Sequence, residues 1–336
     1  MFALSSVTLI PEPSFADRPP KSLARRAVAL SALLAAGLAL GASPALAADG
    51  AAVADVAWWV WPLTLFVVCF ALGIVAVPAG VGGGVLFVPI VSGFFPFHLD
   101  FIRGTGLLVA LASALSAGPS LLSGGLASLR LALPLALVAS ASSILGAMIG
   151  FALPTQVVQV ALGVTILGIV VLMASAKKSE YPSVPAPDAL SAALGMNGIL
   201  VEAGTGRQVP WHVHRTPQGL AVFFVIGILA GLFGLGAGWA NLPALNLLMG
   251  APLKVSAGTS SFVLSLVDSS AAWVYLNKGA VLPMIAVPSV IGMMLGAKIG
   301  ARLLTVLPAA TIRKLVLGLL AFAGLRALLK GLGLWN

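Results

Sequence analysis

Charge is scarce in this chain. Of its 336 residues only 18 are Lys or Arg and 9 are Asp or Glu, together 8%. A soluble domain carries about a quarter charged residues, so this sequence lacks the polar groups to cover a water-facing surface, and a soluble enzyme is excluded. A single cysteine, Cys69, sits inside an apolar run; it permits no intramolecular disulfide and says nothing of redox compartment. Three histidines, one cysteine and few acids form no evident nucleophile, metal cluster or acid–base set. No Gly-x4-Gly-Lys-[Ser/Thr] string is present, so neither an enzyme nor a nucleotide-driven pump is indicated and no cofactor is implied. The net charge is +9, but the basic residues are scattered among apolar segments, which argues against nucleic acid as a partner.

What the chain has in quantity is apolar sequence, 60% of all residues. At ~20 apolar residues per spanning helix, about eight helices would occupy half of it. The expected fold is an all-α integral membrane protein of about eight transmembrane helices, arranged as two four-helix repeats in the cell inner membrane. The segments fall near 57–79, 101–123, 129–152, 155–175, 219–241, 257–276, 280–302 and 309–332. Residues 57–176 then form repeat 1, residues 177–218 a Pro-rich polar loop, and residues 219–335 repeat 2. The lipid bilayer is a partner by composition; a homo-oligomer is left open.

The start of the chain reads as a targeting segment. Lys21, Arg25 and Arg26 precede a 14-residue apolar run over 27–40, then Ala45-Leu46-Ala47. That order is a secretory signal, so 1–47 is expected to be a cleaved signal or a signal anchor with a disordered start, and Asp49 to lie outside the cytoplasm. If every later segment crosses, Arg103, Lys254, Arg302, Arg313 and Lys314 face the cytoplasm. Arg130, Lys177, Lys178, Arg207, Arg215, Lys278, Arg326 and Lys330 then face outward, eight against five. The positive-inside tendency opposes this count, and the signal is given precedence. Within the loop, Trp211-His212-Val213-His214-Arg215 has too few ligands for a metal site and reads as an interfacial Trp with solvated basic residues.

An internal repeat carries the most information. At an offset of 154, Gly73 falls on Gly227, Gly80 on Gly234, Gly82 on Gly236, Gly84 on Gly238, Pro89 on Pro243, Gly104 on Gly258 and Thr105 on Thr259. After a four-residue shift, Leu145-Gly146-Ala147-Met148-Ile149-Gly150 falls on Leu295-Gly296-Ala297-Lys298-Ile299-Gly300, and Pro154 falls on Pro308 at the original offset. The first and fifth segments run on into Gly-rich sequence as far as Phe97 and Gly250, too long for one helix and too broken for two. Such stretches are expected to be broken or re-entrant, which is tolerated at membrane depth only inside protein or along a cavity. Paired broken segments in two halves point to a transporter's binding site, so Gly82, Gly83, Gly84, Gly236 and Gly238 are binding candidates. Gly146, Gly150, Gly227, Gly231, Gly296 and Gly300 fit close helix packing instead.

On these residues the sequence resembles the TauE/SafE sulfite exporter family of membrane transporters. The resemblance rests on the Gly-rich stretch before Val88-Pro89 and Leu242-Pro243, the Gly-Thr pair opening the next helix, and the twice-occurring Leu-Gly-Ala-x-Ile-Gly, and it covers about 60–332. It implies a multi-pass inner-membrane carrier of sulfite, organosulfonates or other small anions, usually moving them outward. The first copy departs from the pattern, with Arg103-Gly104-Thr105-Gly106 in place of Ala257-Gly258-Thr259-Ser260.

Ionisable groups at membrane depth cost at least ~2.5–3.5 kcal/mol and are functional candidates. Arg103, before Gly104 and Thr105, is either an anion clamp or a helix-end anchor; a guanidinium matches an oxyanion through two parallel hydrogen bonds. Lys254 reads more as an anchor, as do Lys298 and Arg302. Asn241, Asn246, Ser260 and Ser261 either donate to the anion or bridge helices. Asp268 is the one acid well inside a span, with Ala114 as its counterpart. It is either a hydrogen-bonded structural acid or a proton-coupling site, paired if at all with Lys278 or Arg130. The function expected is secondary transport of a small anionic substrate by alternating access between the repeats. Transport of another organic anion, or a non-transporting assembly role, is the alternative.

Overall fold

A computed structural model describes residues 57–79, 82–123, 127–175, 186–201, 208–303 and 309–334, with Pro182 and Val184. The signal expected over 1–47 lies outside these residues, as do Gly80 and Pro308 of the repeat pattern.

The chain is an all-α membrane protein. Helix α1 (Val60–Ala79) is followed by the short α2 (Gly83–Phe94) and by three long helices, α3 (Leu99–Ser123), α4 (Leu129–Ala152) and α5 (Thr155–Ser175). The loop region contributes α6 (Ala189–Ala193) and an antiparallel pair, β1 (Asn197–Val201) with β2 (Gln208–His212). Then α7 (Thr216–Phe233) leads to the short α8 (Gly238–Pro243), which continues as one π-helical turn (Ala244–Leu248), and to α9 (Leu253–Asn277), α10 (Pro283–Leu303) and α11 (Ala309–Gly331). The starts of α3 and α9, α4 and α10, and α5 and α11 are each 154 residues apart, the offset at which the sequence matches itself.

Five helices among the described residues are long and apolar enough to cross a bilayer, Leu99–Ser116, Leu129–Ala152, Thr155–Ser175, Thr216–Phe233 and Pro283–Gly300. Their outer faces stay apolar: Leu137 is 70% and Val171 66% exposed, which only a hydrocarbon solvent accommodates along whole helices.

The broken segments are re-entrant. Trp61, one turn into α1, packs edge-on against Phe95 and Phe97 just beyond α2, each at 5.8 Å between ring centroids. The two arms of this first hairpin therefore open on one face of the molecule. In the second hairpin the His214 N–H donates to the Met249 carbonyl at 3.0 Å, so α7 begins where the π turn ends. That open end lies at the opposite face. The second hairpin turns where α7 stops: Gly234 takes the left-handed conformation at φ 68°, a C-terminal position that favours glycine.

Each half is a hairpin plus three long helices, so 57–61 and the described part of the loop lie at opposite ends of the helices. The glycines let α1 and α7 stop and the chain turn back, at a depth where an ordinary helix would continue.

The halves interlock. α1 packs most extensively against α10 of the other half, α7 against α4, and α5 against α11. Glycine makes the first two interfaces. A Cβ on Gly73 would meet the Met293 carbonyl at 2.7 Å, and one on Gly296 would strike the Phe70 carbonyl. In the pseudo-equivalent pair, Gly231 faces the Ser143 carbonyl and Gly146 the Ile228 carbonyl, with no room for a side chain. The packing role expected for these glycines is thus what the helices use.

The loop folds onto the second hairpin. Trp211 lies across Gly198 of the facing strand and is buried, so it is a core residue of the loop rather than the interfacial anchor expected from sequence. Asp188 joins the loop to the membrane helices. It accepts from Ser191 N–H at 3.3 Å, Thr216 N–H at 3.0 Å and Thr216 Oγ at 2.8 Å, so one carboxylate caps α6 and α7 together. Partial burial acts to raise its pKa, but these hydrogen bonds prevail and hold it below the usual carboxylate range.

Candidate functional site

The tips of the two hairpins meet in the interior. A Cβ on Gly238 would lie 3.1 Å from Gly82 N and 3.5 Å from Leu264 Cδ2; one on Gly84 would lie 2.6 Å from the Leu235 carbonyl oxygen and 2.8 Å from that of Gly106. Ala110 of α3 touches both tips, standing 3.0 Å from the Gly84 position and 2.9 Å from that of Gly236. Ala110 and Leu264 are themselves 154 residues apart, so equivalent residues of α3 and α9 flank the crossing. Gly236 has φ 74°, the left-handed region, which confines the position to glycine with little strain.

Several polar side chains of the elements that form or flank the crossing are buried without a hydrogen-bond partner among the described residues. Asp268 of α9 is fully buried and neither of its oxygens accepts a hydrogen bond; they stand 3.0 and 3.3 Å from the Gly236 Cβ position. The Ala237 N–H is directed at this carboxylate without reaching hydrogen-bond geometry. Neither Lys278 nor Arg130 pairs with it: both are exposed, and no ion pair to Asp268 is present among the described residues. Asn241, on α8, is fully buried with both amide atoms unpartnered, and Thr105 Oγ and Trp239 Nε1 are likewise buried and unpartnered. Buried polar groups are rarely left so, since each costs about 1–3 kcal/mol.

Arg103 has a different surrounding from the one its position suggests. Its guanidinium is 1% exposed and donates from Nη1 to the carbonyls of Gly150 (3.2 Å) and Leu232 (3.1 Å), and from Nη2 to Asp100 (2.5 Å) and again to Gly150 (3.2 Å). Phe151 and Tyr275, packed on each other at 4.8 Å, stand beside it, 5.5 and 5.6 Å from ring centroid to Cζ. Tyr275 Oη adds a bond to the Gly231 carbonyl at 2.9 Å. The ends of α4 and α7 expose unsatisfied carbonyls, and a buried cation with a phenol neutralises those ends. The terminal nitrogens expected to grip an anion are bonded to these oxygens inside the protein; only Nε lacks a partner among the described residues.

The remaining candidates separate by depth. Gly82, Gly83, Gly84, Gly236, Gly238 and Asp268 gather at the crossing, while Arg103, Gly104 and Thr105 stand along α3 toward the face where it begins. Gly104 packs against Tyr275 and the Ala280 carbonyl. Gly258, Thr259 and Ser260 are buried in the first turns of α9, near the loop face; Thr259 Oγ accepts from the Ser128 N–H at 3.1 Å, tying the start of α4 to α9. Lys254 is exposed there. Asn246 Nδ2 and Ser256 Oγ both donate to the Ala251 carbonyl, which holds the turn between the π segment and α9. Sequence reasoning missed Asp100, Tyr275 and Trp239. Asp100 was readable as an acid three residues before Arg103, on the same helix face; Tyr275 and Trp239 carried no sequence signal.

Comparison with known proteins agrees with a chain of membrane-spanning helices. The profile of the sulfite exporter TauE/SafE family matches residues 65–327. The chain belongs to that family. Among curated proteins it is similar to the probable membrane transporter protein YunE of Bacillus subtilis (strain 168), 31% identical over 119 residues, which is 35% of this chain and 44% of that one. The chain thus matches under half the length of that relative. No solved structure matches it.

Proposed function

We propose that this TauE/SafE protein is a secondary transporter of small anions such as sulfite or organosulfonates, acting by alternating access of its two repeats around the crossed hairpin tips. One observation carries the reading: two unwound, glycine-built tips from opposite faces meet among buried polar groups that have no protein partner. Unwound backbone at membrane depth is tolerated where it serves a ligand or an aqueous path. The first turn of α2 at Gly83 and Gly84, with Asn241, Thr105 and Trp239, offers neutral donors to the anion. Neutral donors bind without the desolvation cost of releasing an ion from a full charge pair, which suits a carrier that must let go. In this reading Arg103 contributes positive potential from about two turns away and no direct grip; Gly104, Gly236 and Gly238 allow close approach of backbone, and Gly258, Thr259 and Ser260 line the path toward the loop face.

The orientation follows from charge. With re-entrant hairpins, and among the described residues, Arg130, Arg215, Lys254, Lys298, Arg302, Arg313 and Lys314 belong to the loop face, and Arg103, Lys278, Arg326 and Lys330 to the other, seven against four. Positive charge marks the cytoplasmic side, so the loop lies in the cytoplasm and the chain sits in the inner membrane with 57–61 outside. A secretory signal over 1–47 requires the same orientation. Export needs no nucleotide, because a negative interior drives an anion outward.

Radiolabelled sulfite flux into proteoliposomes tests the assignment, with thiosulfate, sulfoacetate and a carboxylate as competitors. Saturable, competable flux is expected. Flux of a competitor without sulfite would replace the substrate, and absence of flux for every anion would overturn transport in favour of an assembly role.

A further inference from the structure

We propose that Asp268, together with the unwound turn of the second hairpin, is the binding site of a coupling monovalent cation, proton or sodium. The inference rests on the transport reading and adds to it a cargo of opposite sign. Asp268 is fully buried, both its oxygens lack hydrogen bonds, and they stand 3.0 and 3.3 Å from the Cβ position of Gly236 in the turn. An ionised carboxylate so placed is among the costliest groups a membrane helix can carry, and it persists where a mobile cation completes it.

The same turn also frees backbone oxygens. Gly234, Leu235 and Gly236 lie between α7 and α8, so the carbonyls of Gly234 and Leu235 belong to no helix. They face α3 and the tip of the first hairpin, where the Leu235 oxygen is 2.6 Å from the Gly84 Cβ position. The carboxylate alone suffices for a proton; a sodium ion, which takes hard oxygen ligands, would need these carbonyls to turn from the first hairpin toward Asp268.

Among the described residues no protein charge competes for the role. Among elements packed on α9, α3 carries Asp100 and Arg103, already bonded to each other and to helix ends. α4 carries Arg130, exposed at the far face, and α7 has Arg215 at its N-cap; α8 and the π turn carry no titratable group. On α9 itself Lys254 is exposed, and Tyr275, two turns from Asp268, bonds to the Gly231 carbonyl. The first half has Ala114 at the corresponding position, so there is one such site per chain. Gly236 is the point at which the site meets the anion path: its turn leads into Gly238, which abuts Gly82. A cation there changes the charge an anion meets at the crossing.

The test uses the full chain purified in detergent and in proteoliposomes. Sulfite uptake is driven by an imposed pH gradient, by a sodium gradient at clamped potential, or by neither, and sulfite self-exchange is recorded beside it. One of the two gradients is expected to drive accumulation. In Asp268→Asn the ratio of gradient-driven uptake to exchange should fall by about tenfold, within the span of typical coupling. Gly236→Ala, which crowds the carboxylate without changing charge, should reduce the same ratio.

A second readout is independent of anion movement. The Tm of the detergent-solubilised protein is measured against sodium at constant ionic strength and against pH, and its dependence on one of these should disappear in Asp268→Asn. If no anion moves but the Tm dependence is present and lost in the variant, the cation site stands and the transport reading fails. If sulfite moves but neither gradient drives it, or Asp268→Asn reproduces the wild type in both readouts, the cation site is overturned and transport stands.

Discussion

The two halves of the molecule share a scaffold and differ in polar chemistry. Their long helices start at one constant spacing and their interlocked interfaces use corresponding glycines, Gly73 with Gly227 and Gly146 with Gly296. Yet Arg103 of the first half has Ala257 as its counterpart, and Asp268 of the second has Ala114. Tyr275, which completes the Arg103 cluster, has Leu121. Even the shared threonine differs: Thr259 Oγ accepts a backbone N–H, whereas Thr105 Oγ has no partner. Duplication supplies packing that must be the same twice; a transport cycle needs its two faces to differ. The asymmetry is therefore concentrated in residues whose loss would not prevent the fold from closing.

The largest effect should come from testing which face is which, because its outcome is all or none. A cytoplasmic fluorescent reporter inserted in the 202–207 stretch of the loop is expected to be bright, and an alkaline phosphatase fusion there inactive. An active phosphatase would reverse the assignment of faces and restore the eight-crossing topology.

Next are the shared glycines. Overpacking costs about 1–3 kcal/mol where neighbours yield, and more where the obstacle is backbone. Gly146→Val would drive a side chain into the Ile228 carbonyl and Gly296→Val into that of Phe70, so each should cost ~3 kcal/mol or more. Both are expected to lower the detergent Tm sharply and by similar amounts. Gly168→Ala, at a helix position with nothing within 4 Å, should be neutral or slightly stabilising. Unequal losses at Gly146 and Gly296 would break the equivalence of the halves.

Much of this was legible in the sequence because it depends on residue type at fixed spacing. Glycine recurring with the same offset signalled both the duplication and the helix contacts, and scarcity of charge signalled the solvent. The fold back of each hairpin was half legible: Gly-rich extensions past α1 and α7 pointed to broken helices, but their return to the same face depends on contacts such as Trp61 with Phe95 and His214 with Met249, which no local pattern specifies. In the proposed orientation that parity moves Arg103, Arg130 and the loop to the other face, and the second hairpin returns Lys254 and the helices after it to the side read from sequence. Arg103 failed for a related reason. Its local setting, a cation before Gly104 and Thr105, fits an anion site, whereas its actual partners are carbonyls 47 and 129 residues away.

A smaller effect belongs to the Arg103 cluster, present in one half only. Arg103→Gln removes donors from two buried helix-end carbonyls, each costing about 1–3 kcal/mol when left unsatisfied. Asp100, being partly exposed, can recover water, so the total should stay near ~2–3 kcal/mol. Tyr275→Phe removes one hydrogen bond and should cost about 1 kcal/mol. At the corresponding end of the second half, exposed Lys254→Gln should change Tm by less than ~0.5 kcal/mol equivalent. If Arg103→Gln were as silent as Lys254→Gln, the guanidinium would not be holding the ends of α4 and α7.

The finest contrast lies between membrane and loop, at Asp188. This carboxylate stabilises two helix starts at once, and losing such a cap costs about 1 kcal/mol. The neighbouring Arg215 N-caps α7 in the left-handed region at φ 55°, a conformation unfavourable for a residue with a Cβ, so the capped Thr216 also holds a strained turn. Hydrogen bonds that favour the ionised form put the folded-state pKa below the unfolded one. The stabilisation is then fully present above the unfolded carboxylate pKa and is lost as pH falls through the lower, folded value. Asp188→Asn should accordingly lower Tm at neutral pH by the equivalent of ~1 kcal/mol and leave a smaller difference from wild type in acid. A difference that is constant with pH would mean that the charge of Asp188 does not matter to its capping, and that the loop is held to α7 by the packing of Trp211 and Met249 alone.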